Sequence, residues 1–239
     1  MRFRTFIVGY ILALTLFLFA QQRHTESAQP SGFRGVVDLT HAVNPNMARA
    51  MKNSATEPRT EIDAPSAYAK GLWSVDQIPP ERLVAPLVVL DVRQQVKANP
   101  DYQVSVEDIA NWEKQNGEVP LGAVLIARTG WESRWYSAAK YRNEDRAGVM
   151  HFPGYSSAAA EFLVDGRKAL GLGIDTPSVD PGISKKAPVR NFTLAHGVYH
   201  LENVANLGSL PAKGGVIIVA PEKLQARSSG PVRLLALVH

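Results

Sequence analysis

The chain has 239 residues, 45% of them hydrophobic, a formal net charge of +4 and no cysteine. That is enough apolar material for one α/β domain or two small ones, and it excludes disorder as the default. The missing cysteines exclude disulfides, thiolate metal sites, a thiol nucleophile and a cysteine lipid anchor, while the weak charge argues against nucleic acid or an anionic membrane surface as partner.

Met1, Arg2, Phe3 and Arg4, followed by an almost wholly apolar run over residues 6–20, read as a signal peptide over 1–20. About 15 apolar residues are short for a membrane span, so an uncleaved anchor is the lesser reading. Export without disulfides points to a bacterial periplasmic or secreted protein. Residues 21–33, rich in Gln, Ser and Pro, read as a flexible lead-in, and 34–239 as the folded domain. A first strand is expected over residues 36–41, ending at His41, which reads as a hydrogen-bonded structural histidine.

Residues 57–68 hold the densest chemistry. Thr60 and Ile62 are β-branched and favour a strand over 57–63. Alternation then puts Glu57, Arg59, Glu61 and Asp63 on one face, neighbours about 6.6 Å apart. Ala64 and Pro65 end the strand. Two readings stay open: a solvated, salt-bridged face, or oxygen ligands converging on a hard cation such as manganese, magnesium or calcium.

Trp73 precedes a proline-rich surface crossing over residues 75–80, and it suits either a planar ligand or plain packing. Pro86 is expected to open a buried strand over 87–92. Ser105 is an N-cap with Asp108 three residues on as capping-box partner, and Gly117 closes a helix over 105–116 with Ile109 and Trp112 on its apolar stripe. A second buried strand over 123–127 completes a strand-helix-strand unit, which predicts a right-handed crossover and a mixed, partly parallel sheet with flanking helices. Ligands collect at the carboxyl ends of such strands, which makes Thr129, Trp131 and Trp135 pocket candidates.

His151, before a Pro-Gly turn, reads either as a site histidine titrating near neutrality or as a turn histidine bonded to backbone. Ser156 or Ser157 caps an Ala-rich helix through Leu163, and residues 170–175 form a strand emptying into a loop that carries Ser178 and Asp180. The glycines of that strand are no nucleotide fingerprint, because no helix opens on a third one. His196 and His200 are four apart, but Gly197 between them predicts a helix-to-strand transition that points the rings apart. Residues 216–220 and 232–238 read as closing strands.

The central stretch resembles the metal-site motif His-x-Gly-Thr-His-x-Asp-x-Pro-x-His of the cyclase family, which includes bacterial kynurenine formamidases and isatin hydrolases. Thr60, Asp63, Ala64 and Pro65 match, while the histidine positions fall on Glu57, Glu61 and Ala67 and the glycine on Arg59. Thr129-Gly130-Trp131, His151-Phe152-Pro153-Gly154, Gly173-Ile174-Asp175-Thr176, Ser178-Val179-Asp180 and Leu201-Glu202-Asn203 look like further signatures, in the family's order. The resemblance covers about residues 34–238 and implies one swivelling β/β/α-like α/β domain that tends toward homodimers or higher homo-oligomers.

It also implies a divalent metal, manganese or zinc, activating water for attack on a formamide, cyclic amide or lactone carbonyl, as in an arylformamidase. Glu202 matches a family ligand. Twelve residues earlier, at a further ligand histidine, stands Arg190, which has no lone pair to donate. An all-oxygen site from Asp63, Glu202, Glu61 and Glu57 is then the expected metal set. His151 or Glu61 stands in as catalytic base, and Trp73, Thr129, Trp131, Ser178 and Arg190 face the small-molecule substrate. The alternative is a catalytically inactive relative with no metal. In it Arg190 bridges Glu202 and Asp63, Arg59 sits between Glu57 and Glu61, and the arginine-filled pocket holds an aromatic or carboxylate ligand.

Overall fold

Among the described residues, aliphatic and β-branched runs account for ten strands: β1 (Gly35–Asp38), β2 (Glu61–Asp63), β3 (Val84–Asp91), β4 (Gln103–Val104), β5 (Val124–Arg128), β6 (Gly154–Tyr155), β7 (Gly171–Ile174), β8 (Tyr199–Glu202), β9 (Gly215–Pro221) and β10 (Ser229–Val238). Between them lie five α-helices: α1 (Arg93–Ala98), α2 (Val106–Asn116), α3 (Ala138–Arg142), α4 (Ser157–Glu161) and α5 (Pro188–Ala195). This computed structural model describes residues 32–43 and 59–239, and the unit of interest is Arg34–His239. The expected signal peptide, most of the lead-in and Glu57 lie outside the described residues.

Eight strands form one mixed sheet in the order β1-β10-β2-β8-β7-β5-β3-β9. β3, β5, β7 and β8 run parallel, as the strand-helix-strand pattern predicts, and the other pairings are antiparallel. β10 also pairs with β9, so seven strands from β10 round to β9 close into a ring, with β1 attached outside it. One edge of β10 serves β9 through Val232 to Leu237, while the other serves β2 through Ser229 to Pro231 and β1 through Leu235 to Val238. Closure leaves few unpaired backbone edges.

Alternation along the strands divides the core into two parts. Ile62, Leu87, Val89, Val124, Ile126, Tyr199, Leu201, Ile217, Val219 and Leu234 fill the inside of the ring. Gly171 and Gly173 face the same side because a Cβ there would come within 2.4 Å of the Tyr199 ring and 2.7 Å of Ile126 Cγ1. Val88, Leu90, Leu125, Ala127, Leu172 and Ile174 face outward and pack with Ile109 and Trp112 of α2 and with Ala159 and Leu163. Ser105 caps α2 as predicted, its Oγ accepting from Asp108 N at 3.1 Å while Asp108 Oδ2 accepts from Ser105 N at 2.8 Å.

Some boundaries differ from the sequence expectation. β2 covers only three residues, because Arg59 and Thr60 are drawn instead to Asn203: Asn203 Nδ2 donates to Arg59 O at 2.8 Å and Thr60 Oγ1 to Asn203 O at 2.7 Å. β3 begins before Pro86, where only β9 runs alongside and a missing N–H does not break a central ladder. The helix capped by Ser156 loosens after Glu161 into a wide i→i+5 turn over Phe162–Gly166.

Candidate active site

Register and alternation together build the site. Glu61 pairs with Glu202 and Asp63 with His200 across β2 and β8, so four titratable side chains stand on the outer face of two adjacent strands. On the opposite face Ile62, Tyr199 and Leu201 enter the inner core. Asp63, His200 and Glu202 are buried, and one ligand atom from each lies within 4.8 Å of the others. Glu61 is partly exposed beside them, 3.6 Å from Arg59 Nε.

α5 lays a cation over this face. Arg190 Nη1 donates to Asp63 Oδ2, and the guanidinium also feels Glu202 and Glu61. Its backbone is fixed by Asp180, whose Oδ1 accepts from Val189 N at 3.0 Å and Oδ2 from Arg190 N at 2.9 Å. Asp180 thus satisfies two of the amides that the first turn of a helix leaves open, from a loop eight or more residues back.

Electrostatics follow from burial. Burial lifts Asp63 above the ordinary carboxylate range, more strongly than Arg190 pulls it down. Glu202 is pushed well up by burial and by Asp63, with Arg190 opposing and Val179 N donating to its Oε1 at 3.3 Å. Burial, aided by Arg190, drops His200 to about 3, so its imidazole is neutral. His200 Nε2 lies 2.5 Å from Thr193 Oγ1, which donates its single proton to Val189 O at 2.8 Å one helical turn back. With that proton on Val189 O, Nε2–H donates to the Thr193 hydroxyl and Nδ1 is left with a buried lone pair and no partner among the described residues.

Two carboxylates and a neutral imidazole are a donor set that manganese or zinc accepts. These residues fit a divalent ion by type and spacing, and His200 also has a buried ring nitrogen, Nδ1, with no hydrogen-bond partner among the described residues. The set is O/O/N rather than all oxygen. Against it stands Arg190: a divalent ion about 4 Å from a guanidinium meets a repulsion of roughly 8 kcal/mol at an effective dielectric of about 20.

The other sequence-predicted residues fall in different company. His151 Nδ1 pairs with Asp101 Oδ2 at 2.7 Å and its Nε2 lies 3.6 Å from Asp145 Oδ2. The Asp101 hydrogen bond, followed by Asp145, raises its pKa. This surface cluster is not the Asp63 group. Thr129 and Trp131 line a cleft of about 400 Å³ with Arg93, Lys97 and Arg134. Thr129 donates to Asp175 Oδ1 through N at 3.0 Å and Oγ1 at 2.6 Å, and Trp131 is buried under the Arg134 guanidinium at 3.7 Å. Trp135 is fully buried with His41 stacked on it at 3.9 Å. Trp73 is half-exposed with the Arg82 guanidinium 5.1 Å from its ring. Ser178 Oγ accepts from Asp180 N at 3.2 Å, which steadies the loop that caps α5.

Sequence reasoning weighed His200 only as a partner of His196 and set it aside because the helix-to-strand transition between them points the rings apart; that transition is present, with α5 ending at Ala195 and β8 beginning at Tyr199. The better signal was its distance of two from Glu202 on a strand, which places both on one face. His196 is exposed at the end of α5 and bonds Phe192 O at 2.7 Å through Nδ1.

A family model described as "Putative cyclase" matches residues 37–181. An isatin hydrolase of Roseibium aggregatum is 33% identical over 187 residues, covering 75% of this chain and 70% of that protein. A kynurenine formamidase of Polaromonas naphthalenivorans is 41% identical over 64 residues, 27% of this chain and 28% of that one. A crystal structure of an isatin hydrolase bound to the product analogue thioisatinate superposes with a TM-score of 0.77 at 26% identity, over 100% of this chain and 99% of that one.

Proposed function

The chain belongs to the Putative cyclase family, and from that premise we propose that its β2–β8 site hydrolyses the carbonyl of a small cyclic amide of the isatin type, with formamides and lactones as related substrates. The observation that carries the proposal is the convergence of Asp63, His200 and Glu202 on one sheet face. Asp63, His200 and Glu202 would hold a divalent metal, with Glu61 beside them. Such a metal supplies Lewis-acid activation of water and polarisation of the carbonyl.

The chain's own residues supply the rest. Arg190 holds Asp63 through one nitrogen and is 30% exposed, so once it releases Asp63 to the metal its guanidinium N–H groups are free to donate to a substrate carbonyl or to the product carboxylate. Glu61, partly exposed and next to Glu202 in register, is the carboxylate placed to accept the proton released from water. Burial of Asp63, His200 and Glu202 excludes bulk water around them.

The test is turnover of isatin and N-formylkynurenine assayed with manganese or zinc in large excess, compared with D63N and E202Q. Loss of at least about 100-fold in kcat/KM in both variants is expected. Absence of turnover on any cyclic amide, formamide or lactone would defeat the hydrolase reading.

Two contacts favour a second reading. The ion pair of Arg190 with Asp63 and the approach of Arg59 to Glu61 give the carboxylates internal cations. In that reading the pocket binds an aromatic carboxylate without converting it. Saturable calorimetric binding of an isatinate-type ligand, lost in R190Q and accompanied by no turnover, is its expected signature.

A further inference from the structure

Buried carboxylates need a counter-charge, and in this site the chain carries its own. Arg190 is the side chain that contacts Asp63, and Glu202 and Glu61 are the other carboxylates that hold its charge against burial. The Asp63 oxygen that Arg190 grips belongs to a residue that any ion held by Asp63, His200 and Glu202 also requires. We infer that Arg190 is a built-in cation that competes with a divalent metal for Asp63, so that the site takes up metal only when the guanidinium has left.

The anatomy suits competition rather than permanent blockage. The backbone of Arg190 is anchored through Asp180, and Val189 and Leu194 of α5 are buried, so the helix itself is fixed. The side chain is different. It is 30% exposed, holds Asp63 through a single nitrogen and rides on a flexible stem. Rotation of that stem toward solvent would free Asp63 with no movement of α5. His200 then keeps its Thr193 bond, and its unpartnered Nδ1 and Glu202 remain where they are.

This inference rests on the reading of Asp63, His200 and Glu202 as a metal-capable set, and its test reads metal content and stability, not activity. Wild type, R190Q and the double variant D63N/R190Q are dialysed with manganese or zinc, then analysed by elemental mass spectrometry and thermal unfolding. Wild type is expected to retain well under one equivalent and to show no shift in Tm. R190Q is expected to bind one equivalent on the order of 100-fold more tightly and to gain Tm with metal, and D63N is expected to cancel that gain. Tight stoichiometric binding by wild type would overturn the competition while leaving the metal reading intact. Uptake by neither protein would overturn both. Should R190Q fold poorly, R190M carries the same test: a variant that folds only when metal is present supports the inference, and failure of both variants to fold or take up metal counts against it.

Discussion

His200 shows how much a single hydroxyl holds in place. Its Nε2–H is buried and has Thr193 Oγ1 as acceptor, while the same hydroxyl donates within α5. T193V keeps the shape but strands the imidazole proton, and it is expected to cost about 1–3 kcal/mol in denaturant unfolding. A loss below about 0.5 kcal/mol would mean that the imidazole proton sits elsewhere. Asp175 gives a pH signature away from the site. Burial lifts it to about 6 against the pull of Thr129 Oγ1 and of the Thr129 and Glu132 amides. Between the ordinary carboxylate range and that value the folded protein keeps a proton that the unfolded chain has released. Stability is therefore full below this window and falls as pH rises through it, by on the order of 2–3 kcal/mol. Urea unfolding at about pH 4 and pH 7 should show this loss in wild type and not in D175N; equal pH dependence in the two would assign it to another group.

At the scale of elements, the parallel strands β7 and β8 approach closely because β7 presents glycine inward. G171A places a methyl group where the Tyr199 ring stands 2.4 Å away, and Tyr199 is itself tied through its hydroxyl to Arg82 O at 2.8 Å. The ring cannot yield cheaply, so a loss of about 2–3 kcal/mol is expected, read as a drop in Tm. An unchanged Tm would mean that β8 shifts freely, and with it His200 and Glu202. Much at this scale was legible in the sequence. Ser105, Asp108 and Gly117 mark both ends of α2 because capping is local chemistry, and the buried runs of β3, β5, β9 and β10 need only composition. The site was legible in part. Asp63 and Glu202 follow from alternation and from the family resemblance, and Glu61 from its place two residues before Asp63. What could not be read is register: only the pairing of β2 with β8 turns two separate acids into a cluster and brings in His200. Nor does the sequence indicate that Asp180 reaches forward to α5 and so aims Arg190, or that Asp101 lies within reach of His151. These are contacts across 10 and 50 residues, and no local rule encodes them.

For the molecule as a whole, β10 is the strand that closes the ring. It pairs with β9, β2 and β1, and β2 carries half of the candidate site. Removing residues 229–239 would expose the inner core and three strand edges at once. The truncated chain is expected to be insoluble or rapidly digested by protease; a soluble fragment with a cooperative thermal transition would show that the remaining strands suffice. The place of β10 also has a temporal meaning. β10 meets β1 and β2 from about 170 to 200 residues away along the chain, with Gly35 opposite Val238 and Asp63 opposite Ser229, so the ring closes only through contacts of long sequence separation. The entropy of bringing such distant segments together is spent before the contacts repay it, so closure of the ring is expected to be slow by topology.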